Sequence, residues 1–203
     1  AEPFGLKDRG LISPGKRADI VALSDLKECN IKLVVCGGKP IDGESFSTRK
    51  TLPPVARNSV NPPTIYTTSF CTSETTEETN VIGILEGKIL TDHLKENIAI
   101  VNGDKLPDIS RDLLRVTVIE RHGKNGNVSN GFVKGFGLKS GEIASTVCHD
   151  HHNIISVGVN YTDMELAIKH LSKIEGGFVI ASEGKVLAEL ALPIAGLISI
   201  QSF

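Results

Sequence analysis

The sequence lacks a dominant charge. Lys and Arg number 22 against 24 Asp and Glu, a formal net charge of −2 over 203 residues. No long-range field is therefore available to hold phosphate backbones or anionic lipid, which excludes nucleic acid and membrane surfaces as partners by charge. A long apolar run is also missing: Leu190 to Ile198 is broken by Pro193 and falls short of the roughly 18 residues that suggest a membrane span. Cys29, Cys36, Cys71 and Cys148 form no C-x-x-C pair, so neither a zinc knuckle nor a dithiol redox motif is present, and a reduced cytoplasmic setting is expected. The N-terminal residues carry neither a basic nor an apolar leader segment. They read as a chain entered midway, and the apolar run-out to Phe203 reads the same way, so truncation at both ends is expected. There is no G-x-S-x-G elbow, no Ser/His/Asp order, no Walker Gly-Lys-Ser/Thr and no repeat of fixed period.

What is present is ordinary globular chemistry: 40% hydrophobic, 23% charged and 20 glycines, enough for a real core. Residues 10–41 read as short strands and turns, with extended runs at Ala18–Leu23 and Ile31–Val35, a ribbon too small to fold alone. Ser, Thr, Pro and basic residues then take over, with Pro-Pro pairs at 53–54 and 62–63. The expected division is residues 1–50 as a small β unit with the start of a linker, 51–63 as linker, and 64–203 as a second domain. In that domain, β-rich runs at 81–85, 88–90, 98–101, 113–119, 131–136, 143–147 and 154–159 predict strands. Met164, Ala167, Ile168, Leu171 and Ile174 share one helical stripe, with Thr162 and Glu165 as a capping box and Gly176-Gly177 as the stop. Residues 178–181 and 186–192 form a hairpin around Glu183-Gly184. The fold class is α+β, mostly β, with few helices.

The densest polar cluster is His149-Asp150-His151-His152-Asn153, between two apolar strands. An extended backbone would put His149 and His151 on one face, whereas a helical turn would bring His149 and His152 together. Metal ligation, a polar lid over a ligand and a solvated turn all fit the spacing. Glu120-Arg121-His122 closes an apolar strand and either faces a site or forms a charged edge. Gly135-Phe136-Gly137 with Gly141 imitates a dinucleotide loop, but the third glycine comes one residue late and tight turns account for the glycines.

The run Gly10-Leu11-Ile12-Ser13-Pro14-Gly15-Lys16-Arg17-Ala18-Asp19-Ile20-Val21 resembles the strand that closes the small β-sandwich of amidohydrolases after their metal-bearing barrel. Further on, Glu120-Arg121-His122, the Gly131–Lys139 segment, Ala144-Ser145-Thr146, His149-Asp150, His152-Asn153 and the Leu192–Leu197 segment resemble the C-terminal domain of bacterial-type adenine deaminase. The likeness covers nearly the whole chain and is weakest from Gly43 to Asn80. In one place the chain departs from it: His151 stands where the family pattern has a small residue, and no role is carried over to it.

The resemblance implies that the parent protein converts adenine and water to hypoxanthine and ammonia, using a divalent metal (manganese or iron, or zinc) to activate water. The family's metal ligands lie on a barrel that precedes the sandwich strand, and a barrel needs roughly 250 residues. No metal is expected in this chain, and the fragment alone is expected to be inactive. The implied lid or substrate contacts are His149 and Asp150, then His152, Asn153 and Ser145, with Glu120, Arg121 and His122 as secondary candidates. Adenine is the implied ligand of the parent and a homo-oligomer is expected. The rival readings are a self-contained binding or oligomerisation module and a small metal-binding protein using His149–His152.

Overall fold

The computed structural model describes residues 2–42 and 55–201. The chain divides into two compact units, Ala1–Pro53 and Pro54–Phe203. Of the stretch 51–63 expected to be a linker, residues 51–54 lie outside the described residues, and Val60 is buried in the core of the second unit.

The first unit is an antiparallel ribbon of β1 (Ile20–Leu23), β2 (Ile31–Cys36) and β3 (Lys39–Pro40). Asp19 organises its turn, accepting hydrogen bonds from the Gly37 amide at 2.7 Å and the Arg17 Nε at 2.9 Å. Val21, Leu23, Ile31 and Leu33 remain exposed, and every buried hydrophobic side chain among the described residues belongs to the second unit. A lone ribbon leaves both faces wet, as its length predicts.

The second unit is built on an eight-stranded sheet. Its strands are β4 (Glu78–Ile84), β5 (Thr91–Asn97), β8 (Leu113–Ile119), β9 (Val128–Lys134), β10 (Glu142–Ser145), β11 (Ile154–Gly158), β12 (Gly177–Ser182) and β13 (Lys185–Ala191). The spatial order is β13-β12-β10-β11-β8-β9-β4-β5. All neighbours are antiparallel except β4 and β9. A two-stranded ribbon of β6 (Ile100–Val101) and β7 (Asp104–Lys105) lies apart from it. The mostly-β α+β class expected from the sequence is the class observed.

Strand β8 matches its expected bounds because its residues satisfy both faces. Leu113, Arg115, Thr117 and Ile119 alternate with Leu114, Val116 and Val118, and six of the seven are buried. Strand 88–90 does not form: Lys88 closes a turn on Leu85, and the chain pairs with β4 only from Thr91. Strand β5 is charged and mostly exposed, an edge strand held by its neighbour rather than by its own pattern, which is why composition missed it.

Helix α1 (Tyr161–Lys173) buries Met164, Ala167, Ile168 and Leu171 as its periodicity predicts, against Ile119, Ala144, Ile154, Val179 and Ala181. Its cap differs from expectation. Asn160, not Thr162, is the N-cap, with its side-chain oxygen accepting from the Asp163 amide at 2.8 Å, and Thr162 lies within the first turn. Asp163 is buried and its carboxylate accepts from the Glu183 and Gly184 amides, binding the β12–β13 turn to the helix start. Glu183 and Gly184 both take positive φ, the conformation this hairpin turn requires. The helix ends through left-handed Glu175 and Gly176, one residue earlier than the glycine pair suggested.

Beneath the helix start, Glu142 is fully buried and its Oε2 accepts from the Ser156 hydroxyl at 2.6 Å. Gly158 lies beside it because a Cβ there would meet Glu142 Cβ and Met164 Cγ at 2.7 Å. Burial pushes the Glu142 carboxyl up to about 9, with the charge of Asp163 adding to the rise and the Ser156 hydrogen bond opposing it. A carboxyl whose folded pKa is raised adds most stability below its unfolded value of 4.5 and loses it as pH rises toward about 9. Glu142→Gln keeps a neutral acceptor and removes this titration. Thermal melts should show the variant more stable than the parent chain at pH 8, by about 3 °C or more, with the gap closing toward pH 4.

Candidate functional site

The segments that carry the family resemblance lie far apart in sequence, and the fold gathers several of them on one side chain. Arg121, directly after β8 and 2% exposed, donates from Nε to the His152 carbonyl, from Nη1 to the Ser59 carbonyl at 3.2 Å and from Nη2 to the Ala195 carbonyl at 3.0 Å. Gly196 is pressed against it: a Cβ there would meet Arg121 Nη1 at 2.7 Å. Thr146 completes the knot, its hydroxyl donating to the Gly196 carbonyl at 2.6 Å and accepting from the Gly177 amide at 2.7 Å. No carboxylate offsets this buried cation among the described residues, and burial alone draws its pKa down.

Glu120 is also structural. Its carboxylate accepts from the backbone amides of His122, Lys124, Asn125 and Gly126, wrapping the turn that follows β8. Burial works to raise its pKa, but these four N–H groups outweigh it and hold the group below the usual carboxylate range. His122 reaches the His151 carbonyl through Nε2 at 3.4 Å. Arg121 and His122 therefore touch the backbone of the histidine loop, whereas Glu120 orders the turn that follows β8.

The loop itself turns rather than extends, so the extended alternative, with His149 and His151 on one face, does not describe it. The His152 amide bonds to the Cys148 carbonyl at 2.7 Å, residues 149–151 form the turn, and His152 closes it at φ +51°. His149, Asp150 and His151 are exposed, whereas His152 and Asn153 are half-buried. His152 Nδ1 and Asn153 Oδ1 are buried without a protein hydrogen-bond partner. His151 Nδ1 accepts from the Asn153 amide at 3.0 Å, and its Nε2 faces Cys148 Sγ at 3.5 Å. Burial and the neighbouring Asp150 charge raise the Cys148 pKa, so the thiol is not an activated nucleophile. Ser145 is buried at the end of β10, and its Oγ accepts from the Val147 amide, which starts the loop. Among the described residues no three His, Cys, Asp or Glu side chains are grouped to hold a metal ion.

The glycine loop is equally occupied. The Gly135 and Gly137 amides both donate to the Asp112 carboxylate at 2.9 Å, filling the place a phosphate would need. Sequence reasoning also missed the buried network under β8, where Arg115 meets Asp104 at 3.3 Å and the Tyr161 hydroxyl at 2.7 Å and stacks 4.3 Å over Phe132. The signal was an arginine at an inward-facing position of an otherwise apolar strand.

The family model for the adenine deaminase C-terminal domain matches residues 88–203, more than half of the chain. The chain belongs to the adenine deaminase C-terminal domain family. The matched span contains Arg121, Thr146, the histidine loop and the Ala195-Gly196 turn of this family member. An adenine deaminase of Cereibacter sphaeroides (strain ATCC 17025) is 58% identical over all 203 residues, which make up 36% of that protein. An adenine deaminase of Brucella anthropi is 47% identical over the same 203 residues, again 36% of its length. Adenine deaminase 1 of Agrobacterium fabrum is 47% identical over the whole chain and 35% of its own length. The chain thus spans about a third of the curated relatives it matches. Among the described residues no helix is long and apolar enough to cross a membrane.

Two outcomes follow from the knot. Arg121→Lys keeps the charge but cannot serve three carbonyls with a planar fork, and should lower unfolding stability by about 2 kcal/mol or more in urea titrations. Because Glu120 has a depressed folded pKa, its contribution is complete above its unfolded value and lost as pH falls through the folded one. The amide resonances of Lys124, Asn125 and Gly126 should therefore move only in acid in an NMR titration, and not near neutrality.

Proposed function

We propose that this chain is the C-terminal portion of an adenine deaminase and that its histidine loop forms a wall or lid over the purine. The parent reaction hydrolyses adenine to hypoxanthine and ammonia. A divalent metal in the parent enzyme would activate the water. The residues of this chain would bind and orient the base. The single observation that carries the reading is the presentation of His149 and Asp150 at the exposed tip of a turn whose base is fastened by the buried Arg121.

Adenine displays its N6 amino donor beside its N7 acceptor. A carboxylate accepts from the first and an imidazole N–H donates to the second, so Asp150 and His149 together complement that edge. His152 and Asn153, half-buried below, support the tip, with His152 Nδ1 and Asn153 Oδ1 buried and without a hydrogen-bond partner among the described residues. Ser145 sets the start of the turn. Holding the base in one orientation contributes through positioning rather than bond making.

The test is alanine at His149 and at Asp150 in the full-length enzyme carrying this sequence. kcat/KM for adenine should fall tenfold or more, about 1.4 kcal/mol of transition-state stabilisation, with circular dichroism unchanged. Unaltered kinetics would sink the lid. The 203-residue chain by itself should release no ammonia from adenine.

A further inference from the structure

The eight-stranded sheet has two apolar faces and a helix on one of them. Alternation places Val179 and Ala181 in the core with α1, and Phe178 and Ile180 on the opposite face. Register extends that opposite face into two rows. One runs Leu190, Phe178, Ser145, Ile155, Val118, and the other Ala188, Ile180, Ile143, Val157, Val116. Neither row contains a charged side chain, whereas an antiparallel face meant for water alternates to polar residues. Leu138, Ile155 and Val159 close the middle of this face over Leu114, Val116, Val133 and Val157. The β12–β13 end stays open, with Leu190 at 52% exposure and Phe178 and Ile180 at 38%.

This open end is continuous with the candidate site. Ser145 pairs with Phe178 across β10 and β12, and the chain passes directly from Ser145 into the histidine loop. A body that receives the loop must therefore lie against these rows as well. We propose that the Phe178–Ile180–Leu190 patch seats the part of the parent deaminase polypeptide that lies outside these 203 residues, docking through an uncharged apolar surface of its own. The 203 residues make up only 35–36% of the relatives, so about two-thirds of such a polypeptide is available as that occupant. This rests on the proposed function. A second copy of the chain would bury the patch too, but it would supply no purine site for the loop beside it.

The experiment is hydroxyl-radical footprinting of Phe178 and Leu190 in the 203-residue chain and in the full-length enzyme carrying it, together with the double variant Phe178→Asp, Leu190→Asp in both. Both side chains should label readily in the chain and at least fivefold less in the full-length enzyme. The double variant should leave the chain monomeric, with an unchanged melting temperature, and should cost the full-length enzyme tenfold or more in activity. Equal labelling in the two proteins overturns the proposal even if the full-length double variant fails to fold. So does a chain that is a dimer and becomes monomeric on double substitution, which would give the patch to a second copy. Protection of Phe178 and Leu190 with unaltered kinetics for His149→Ala and Asp150→Ala would uphold the seat and dismiss only the lid.

Discussion

A buried guanidinium with no carboxylate beside it among the described residues ties four distant stretches of this chain together. Arg121 spends its hydrogen-bonding capacity on the carbonyls of Ser59, His152 and Ala195, and the β8 strand that ends two residues before it runs through the middle of the sheet. Carbonyl groups at the ends of loops are costly to bury without donors, and a planar cation with five N–H groups supplies donors in several directions at once. The same contacts hold His152 at positive φ. The base of the histidine loop is thus fastened by a residue 31 positions before His152 in sequence and almost wholly out of solvent.

The sheet divides its polar burden unevenly. On the helix-bearing face, Arg115, Thr117, Ser156 and Glu142 are buried among aliphatic side chains, each with a defined partner: Asp104 and Tyr161 for Arg115, Asn130 for Thr117, and Ser156 for Glu142. Such groups are tolerated because breaking one partner away leaves the other stranded, and they favour one arrangement over its neighbours rather than adding much net stability. Among the described residues the opposite face carries no comparable network. From β13 through β8 its two rows carry no charged side chain, and Ser145 is their one polar residue, at the start of the histidine loop.

Much of the scaffold was legible in the sequence. The 113–119 strand, the α1 stripe and the Glu183-Gly184 hairpin are local patterns in which periodicity, turn residues and burial agree, and each formed where expected. Strand β5 and the two-residue β7 escaped because their residues are charged or few, and only pairing with other segments makes them strands, whereas the expected 98–101 strand forms over Ile100–Val101 alone. Thr162 lost the cap to Asn160 by two residues, since both types can cap and only the backbone turn before the helix chooses between them. The histidine loop was found as a cluster, but spacing left its conformation open between an extended and a turned form.

By itself, the sequence determined the class of fold, the position of the one long helix, the absence of a field for polyanions and the membership of a family whose motifs are contiguous runs of residues. These are properties of neighbours in the chain, written in periods of two and near four and in short fixed strings. Only the tertiary structure decided that Arg121 grips the His152 carbonyl, that Glu120 wraps the turn after β8, that Asp112 fills the glycine loop, and that the histidine loop turns rather than extends. Those outcomes depend on which amides and carbonyls are left without partners once the strands have paired, and that is settled across the sheet, between residues the sequence holds far apart.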